Sequence, residues 1–384
     1  MKKIAIIGAS YLQNPLILKA KEMGLETHVF AWAAGDIGES TADFFYPISI
    51  IEKEMILEKC REIGIDGICS IASDLAAITV NYVATALGLI GNSLDCTKKS
   101  TNKHAMREAF RMHGDPSPKS ILVHTVHDLA DTDLEFPAIV KPVDRSGSRG
   151  ITKVESYSEL EKAIKVAEEQ GFEKDALVEE FVTGQEYSVE CVSYHGKHHF
   201  IAMTKKYTTG APKFIETGHI EPAPIPQDKL EEVKSAVFHA LDTLGIQNSA
   251  SHTELKISKN GKIEFIEIGG RMGGDCIGSD LVELSTGIDF VAAVIQIALG
   301  QEPDLKPKHP GECAAIRFVF SQDDVDVLQK LKKENPQYLL REDVETVHDG
   351  AVIDSSTRFG YYLMHAKTRA ELEPYLPIQQ EDAE

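Results

Sequence analysis

Three groups of residues in this chain have types and spacings that suit chemistry. The first is the run Ile139-Val140-Lys141-Pro142-Val143-Asp144-Arg145-Ser146-Gly147-Ser148-Arg149-Gly150, an apolar stretch that ends in lysine and continues into glycine, serine and arginine. Small residues let backbone N–H groups approach phosphate oxygens, and Lys141 adds a fixed positive charge, so the run has the make-up of a phosphate-covering lid. It is not a Walker loop, because no Gly-Lys-Ser/Thr opens a helix there. Its composition also fits a solvated surface turn. The second group is Leu177-Val178-Glu179-Glu180-Phe181-Val182-Thr183-Gly184-Gln185-Glu186, an apolar strand that runs into carboxylates. Carboxylates repel phosphate but accept hydrogen bonds from an adenine amino group and from ribose hydroxyls; a polar sheet edge is the plainer alternative. The third is the pair Glu254, in His252-Thr253-Glu254-Leu255, and Glu267, in Phe265-Ile266-Glu267-Ile268. A hairpin turning at Asn260-Gly261 folds these two strands back on each other. Like charges facing across strands repel, and a bound hard cation such as Mg²⁺ would relieve the conflict; solvated strand faces would relieve it too.

The elements that must position these groups follow from the pattern of apolar residues. An apolar run from Lys3 to Ile7 ends in Gly8-Ala9-Ser10, a helical pattern covers 15–23 and stops at Gly24, and a second apolar run covers 27–32. Strand, glycine turn, helix, strand predicts a doubly wound α/β layer. Of the dinucleotide fingerprint only Gly8 is present, and no acidic residue ends the second strand, which argues against nicotinamide binding. A strand at 67–72 then ends at Ser73-Asp74, and a helix at 75–87 stops at Gly88. Thr101-Asn102-Lys103 is an N-cap cluster opening a helix to Met112, and 115–118 form a proline-punctuated hinge. Beyond it the chain reads β, β, α, β: 120–124, 138–141, a helix opened by a Ser158/Glu161 capping box, and 176–181. A hairpin turns at His195-Gly196-Lys197, a helix covers 229–244, and the strand 262–268 runs into Gly269-Gly270-Arg271-Met272-Gly273-Gly274. An apolar helix at 290–299 follows. Strand patterns at 314–320 and 361–366 predict a small C-terminal α/β lobe.

The chain has 384 residues, more than one hydrophobic core usually supports, which predicts several packed units with a site between them. A formal charge of −20 disfavours nucleic-acid binding, so any anionic substrate must meet a local basic pocket. The six cysteines are scattered, with no C-x-x-C pair and no metal-ligand spacing, and read as buried hydrophobes in a reducing compartment. The opening Met-Lys-Lys-Ile-Ala-Ile-Ile-Gly breaks at Gly8 without a small-residue cleavage site, and no stretch is long enough to span a bilayer, so the expected location is the cytoplasm. Disorder is expected only near Gln379 to Glu384.

The ordered series of Lys103, Ile-Val-Lys141-Pro with its glycine loop, Val-Glu-Glu-Phe-Val with Gly-x-Glu186, Glu254, and Ile-Glu267 with Arg271 resembles the ATP-grasp superfamily over nearly the whole chain. The N-terminal lobe resembles the pre-ATP-grasp domain of biotin carboxylase and of the carbamoyl-phosphate synthetase large subunit. The resemblance implies an α/β fold of four units: a Rossmann-like pre-ATP-grasp domain at 1–95, a small ATP-grasp subdomain with a mobile lid at 96–185, a large subdomain with the metal site at 186–304, and the C-terminal lobe at 305–384. It further implies that Lys103 and Lys141 meet the phosphates of ATP, that Ser146, Gly147 and Gly150 belong to the lid, and that Glu179 and Val182 contact adenine. Glu186 would hold the ribose, Glu254 and Glu267 would ligate Mg²⁺ (Mn²⁺ being an alternative), and Arg271 would stabilise an oxyanion or acyl phosphate. Where such enzymes commonly carry Glu-x-Asn, this chain has Glu267-Ile268-Gly269, which removes one side-chain ligand of a second metal.

In such a site a substrate carboxylate attacks the γ-phosphate and an amine captures the acyl phosphate, with Lys141 and Arg271 as the catalytic candidates and no nucleophilic side chain required. Glu216 and His219 lie where acceptor-side loops are found and are, with Arg271, the substrate candidates. The segment Glu-Ile-Gly-Gly-Arg-Met-Gly-Gly-Asp looks closest to the L-amino acid ligases, which join two amino acids. The partners would then be a small-molecule carboxylate and amine, and dimers are frequent among such enzymes. A carboxylase or purine-pathway ligase is the alternative enzyme, although no Ala-Met-Lys-Met biotin-carrier segment is present. A non-catalytic ATP-binding protein is the alternative of another class, favoured by Gly269.

Overall fold

A computed structural model describes residues 1–130, 132–348 and 352–378; the expectation for Gln379 to Glu384 lies outside the described residues. Three sheets organise the chain. The first holds four parallel strands, β1 (Lys3–Ile7), β2 (Glu26–Phe30), β3 (Phe44–Tyr46) and β4 (Gly67–Cys69), in the order β3-β2-β1-β4. Strand β1 is apolar on both faces because both faces are covered: Ile4 and Ile6 join one core with Leu16 and Ile17, and Ala5 and Ile7 join another with Ile56 and Cys60. The first of these cores also takes in Phe290, Ala293 and Ile297, so the late helix Phe290–Ala298 covers the N-terminal layer and ties it to the rest of the molecule.

The second sheet is antiparallel, order β5-β8-β6-β7, from β5 (Ser120–Val123), β6 (Ala138–Pro142), β7 (Thr152–Val154) and β8 (Ala176–Glu180). Leu160, Ala163, Ile164 and Ala167 of the helix Tyr157–Gln170 pack on it. The expected Ser158/Glu161 capping box is displaced by two residues. The N-cap position is Ser156, whose Oγ donates to Glu159 Oε1 at 3.2 Å while Glu155 N–H donates to Glu159 Oε2 at 3.2 Å.

The third sheet has eight antiparallel strands: β9 (Gln185–Tyr194), β10 (Lys197–Thr208), β11 (Glu216–Glu221), β12 (Ser249–Ile257), β13 (Ile263–Gly269), β14 (Cys313–Phe318), β15 (Leu339–Val344) and β16 (Gly360–Ala366). Their order is β13-β12-β9-β10-β11-β14-β16-β15. The strands read as a C-terminal lobe therefore extend the central sheet through the β11–β14 pairing, and bring their own core, with Leu331 and Tyr362 fully buried. On the other half, Val233, Val237 and Leu241 of the helix Gln227–Leu244 pack against Phe265 and Ile268. All six cysteines are free and buried. Among the described residues no single helix is long and apolar enough to cross a membrane.

Candidate active site

Strands β12 and β13 pair so that Glu254 lies directly opposite Glu267, as the hairpin at Asn260-Gly261 predicts. A lysine meets each carboxylate: Lys206 Nζ lies 2.5 Å from Glu254 Oε1, and Lys103 Nζ lies 2.9 Å from Glu267 Oε1. Lys206 also lies 3.1 Å from Glu186 and 3.5 Å from Glu216. Burial works against its charge, but the Glu254, Glu186 and Glu216 carboxylates outweigh burial and hold the ammonium well above the usual lysine value. Lys103 begins the helix Lys103–His113, capped by the Asn102 side chain, and its Nζ donates to the Arg145 carbonyl at 2.7 Å. The helix start thus fixes the lysine between the lid and the paired carboxylates.

The opposite wall belongs to the smaller sheet. Lys141 on β6 and Glu179 on β8 form an ion pair of 2.6 Å, and Arg107 Nε donates to the other oxygen of Glu179 at 2.8 Å. Arg107 Nη2 also donates to the Ile266 carbonyl at 2.8 Å, which ties this wall to β13. Burial alone would raise the Glu179 carboxyl; Arg107 and Lys141 override it and hold the group at about 2. Burial, helped by the Arg107 and Lys103 charges, keeps the Lys141 ammonium below the usual lysine value. The Glu179 carboxylate is thus already paired with two cations, Arg107 and Lys141.

Between the walls lies a narrow slot of about 120 Å³ whose lining includes Ile139, Lys141, Phe181, Val182, Glu186 and Glu254. Phe181 and Phe214 close it with their rings at 6.1 Å, and Lys153 Nζ sits 4.6 Å above the Phe181 ring. The lid is folded over this slot, with Ser148 Oγ donating to the Phe214 carbonyl at 3.0 Å. Gly150 must be glycine here: its φ is +73°, and a Cβ would come within 2.9 Å of Pro142 Cγ. Gly147, also at positive φ, faces open space, and Ser146 lies beside it in the same exposed part of the lid.

Beyond β13 the glycine-rich loop is shaped by two ion pairs, one half-buried and one buried. Arg271 Nε and Nη2 donate to Asp74 Oδ1 and Oδ2 at 2.8 and 3.1 Å, so a residue of the N-terminal layer orients this arginine. A Cβ at Gly269 would lie 2.9 Å from Asp74 Oδ1 and 3.2 Å from Arg271 Nε. Next to it, His252 Nδ1 is bonded to Glu190, whose other oxygen accepts from the Gly273 N–H at 3.0 Å. Burial would lower the His252 pKa, but Glu190 and Glu254 lift it to about 9, so the ring is an imidazolium at neutral pH. Glu216 lines the slot, whereas His219 is 1% exposed and lies behind Asp275, its Nε2 3.5 Å from Asp275 Oδ2. Direct contact between His219 and a substrate is thereby corrected to a place in the supporting layer.

Sequence reasoning missed Lys206, Arg107, Asp74 and the Glu190–His252 pair. Lysine at both 205 and 206 signals a basic residue on a strand, and Ser73-Asp74 stood at a predicted strand end, but neither pattern says which side chain turns inward.

The donor set can be tested for a metal. Among the described residues no cluster of three or more His, Cys, Asp or Glu is placed to hold an ion. Two facing carboxylates, each now balanced by an ammonium, fit a hard cation that completes its shell with phosphate oxygens and water, as Mg²⁺ does with nucleotides.

Residues 134–280 match the family model described as the ATP-grasp domain. Over 334 residues the chain is 28% identical to the alanine–anticapsin ligase of Bacillus subtilis, covering 77% of this chain and 70% of that protein. It is 24% identical over 310 residues to the D-alanine–D-alanine ligase of Ralstonia nicotianae, covering 77% of this chain and 87% of that protein. The crystal structure of the L-amino acid ligase from Bacillus licheniformis superposes with a TM-score of 0.81 at 24% identity, over 98% of this chain and 96% of that one, which establishes a common fold.

Proposed function

We propose, on the match of residues 134–280 to the ATP-grasp domain model, that the chain is an ATP-dependent carboxylate–amine ligase that joins two amino acids through an acyl phosphate. The named ligase relatives support this reading. The observation that carries it is the Glu254–Glu267 pair flanked by Lys103, Lys141 and Lys206, which concentrates cations and metal-binding oxygens at the end of a base-sized slot.

In this reading Val182 and the backbone at Glu179 receive adenine, Glu186 the ribose, and Lys103 and Lys141 the phosphates, under the lid around Ser146, Gly147 and Gly150. Glu254 and Glu267 would hold Mg²⁺, which Mn²⁺ can replace; the ion supplies charge neutralisation to the transferring phosphoryl group. A substrate carboxylate oxygen attacks the γ-phosphorus and ADP leaves. The amine nitrogen then attacks the acyl carbon, the carbon–oxygen bond to phosphate breaks, and the amine's proton is lost. Arg271, held in place by Asp74, faces the negative charge of the tetrahedral intermediate. A closed lid excludes the water that would hydrolyse the acyl phosphate. The partners are small molecules, the expected compartment is the cytoplasm, and a homodimer is the assembly we expect.

The test is release of ADP and phosphate from Mg-ATP with single and paired amino acids, and bicarbonate in a separate arm. Release that requires an amino-acid pair and yields the matching amide mass is the expected result. Release that requires bicarbonate instead replaces this reading with a carboxylase, and ATP binding without turnover in any arm replaces it with a non-catalytic protein.

A further inference from the structure

A second cavity, of about 460 Å³, lies beside the slot and is lined from several distant parts of the chain. Tyr11 comes from the loop after β1, Arg149 from the lid, Asp275 from the segment after the glycine-rich loop, and Asp343, Glu345 and Arg358 from the β15–β16 region. One shared wall separates it from the nucleotide slot. Ser355 Oγ donates to Glu216 Oε2 at 3.0 Å, and the Glu216 carboxylate lies 3.5 Å from Lys206 Nζ. A ligand here would therefore be linked to Glu254 through the contacts Ser355–Glu216, Glu216–Lys206 and Lys206–Glu254.

The charges of this cavity do not cancel. Arg358 grips Asp275 with both terminal nitrogens, at 3.0 and 2.8 Å, and lies flat on Phe318 at 3.6 Å from the ring centre. That pair is internally neutral, and the buried His219 stands behind it with its Nε2 3.5 Å from Asp275 Oδ2. Among the described residues Arg149 has one ion-pair partner, Asp354 at 4.0 Å, and its side chain is 42% exposed. Asp343 and Glu345 stand two residues apart, so they project to the same side of the extended chain, and both are exposed. Asp343 pairs in register with Tyr361, whose ring stacks at 6.0 Å on Tyr11 and forms part of the same lining. The cavity therefore presents Arg149 from the lid and, from the β15 region, Asp343 and Glu345, with Arg341, itself paired to Asp280 at 3.1 Å, over the Tyr361 ring and aromatic surface between them.

We infer that this cavity receives the amine substrate and that this substrate is an α-amino acid with a cationic side chain. Arg149 meets its carboxylate, Asp343 and Glu345 meet its distal ammonium or guanidinium, and the α-amine is left to face the acyl phosphate. The inference rests on the ligase reading above and adds the class of acceptor. A volume of about 460 Å³ is within the few hundred Å³ typical of small-molecule sites.

The experiment offers the full-length protein Mg-ATP and an equimolar mixture of the common amino acids plus ornithine, and sequences the amide products by tandem mass spectrometry. Lysine, arginine or ornithine is expected at the carboxyl end. In an Asp343→Asn/Glu345→Gln double variant the ratio of kcat/KM for lysine over alanine as acceptor should fall about tenfold. Glu345→Lys should move the preference towards neutral or acidic acceptors. Amides that carry neutral or acidic acceptors in the wild type, or a ratio that the double variant leaves unchanged, overturn the inference and leave the ligase reading standing. No amide from any amino acid overturns both.

Discussion

At Gly269 the space that a side chain would need is filled by the Asp74–Arg271 ion pair. Gly269→Ala should push Asp74 and Arg271 apart by a few tenths of an ångström, lower kcat by about 10- to 100-fold, and leave ATP affinity nearly unchanged. Steady-state kinetics set beside calorimetric ATP titration separate the two effects, and unimpaired turnover would remove Arg271 from the chemistry. Glu267→Gln takes one charge from the facing pair, and Mg-dependent turnover should fall at least about 100-fold while circular dichroism shows an intact fold. Single residues were unevenly legible in the sequence. Glu254 and Glu267 could be placed opposite each other because a short hairpin fixes their register. Lys206 could not be placed, because the register of β10 against β9 shifts between Phe200 and Ala202 and breaks the alternation that would say whether 205 or 206 points inward.

Strands β10 and β11 also enclose a carboxyl that has no part in the proposed chemistry. Glu221 is fully buried, accepts from Thr204 Oγ1 and Ser285 Oγ at 2.5 Å each, and has its pKa raised by burial to about 7. A folded-state pKa above the ordinary 4.5 means that the folded chain binds the extra proton between these values, so stability declines as pH rises from about 4.5 to about 7 and stays reduced above that. Glu221→Gln should therefore gain stability relative to the wild type at pH 8, by up to about 3 kcal/mol, and gain little at pH 4.5. Denaturant melts at the two pH values measure the difference, and equal effects at both would refute it. Most elements were readable from apolar period and caps. The joining of β14 to β11 was not, since that pairing links segments far apart in sequence with no local turn to announce it.

At the scale of the molecule, the site is assembled from the two antiparallel sheets and the helices that begin at Asp74 and Lys103, so ligand and fold should stabilise each other. Saturating Mg-ATP, at about 100 times its dissociation constant, should add about 2.7 kcal/mol of stability, and chelation of the metal should abolish most of the gain in a thermal melt. Because β14, β16 and β15 continue the central sheet, a chain ending at Gly300 would expose the edge of β11 and the apolar surface that faces Tyr362 and Leu331. Such a truncation should aggregate on size-exclusion chromatography, and a soluble monomeric fragment would show that the last strands are dispensable.

The order β13-β12-β9-β10-β11-β14-β16-β15 places the facing carboxylates at one border of the central sheet and Asp343 at the other. Seven strand-to-strand steps separate those borders along the sheet, while the Ser355–Glu216–Lys206–Glu254 contacts join the two regions across it. On the proposed reading, substitutions at the β15 border would alter which molecules are accepted without touching the border assigned to phosphate. A lineage built on this sheet is able to diversify its products by rewriting one peripheral strand, and the same economy makes that strand the natural place to graft a new preference.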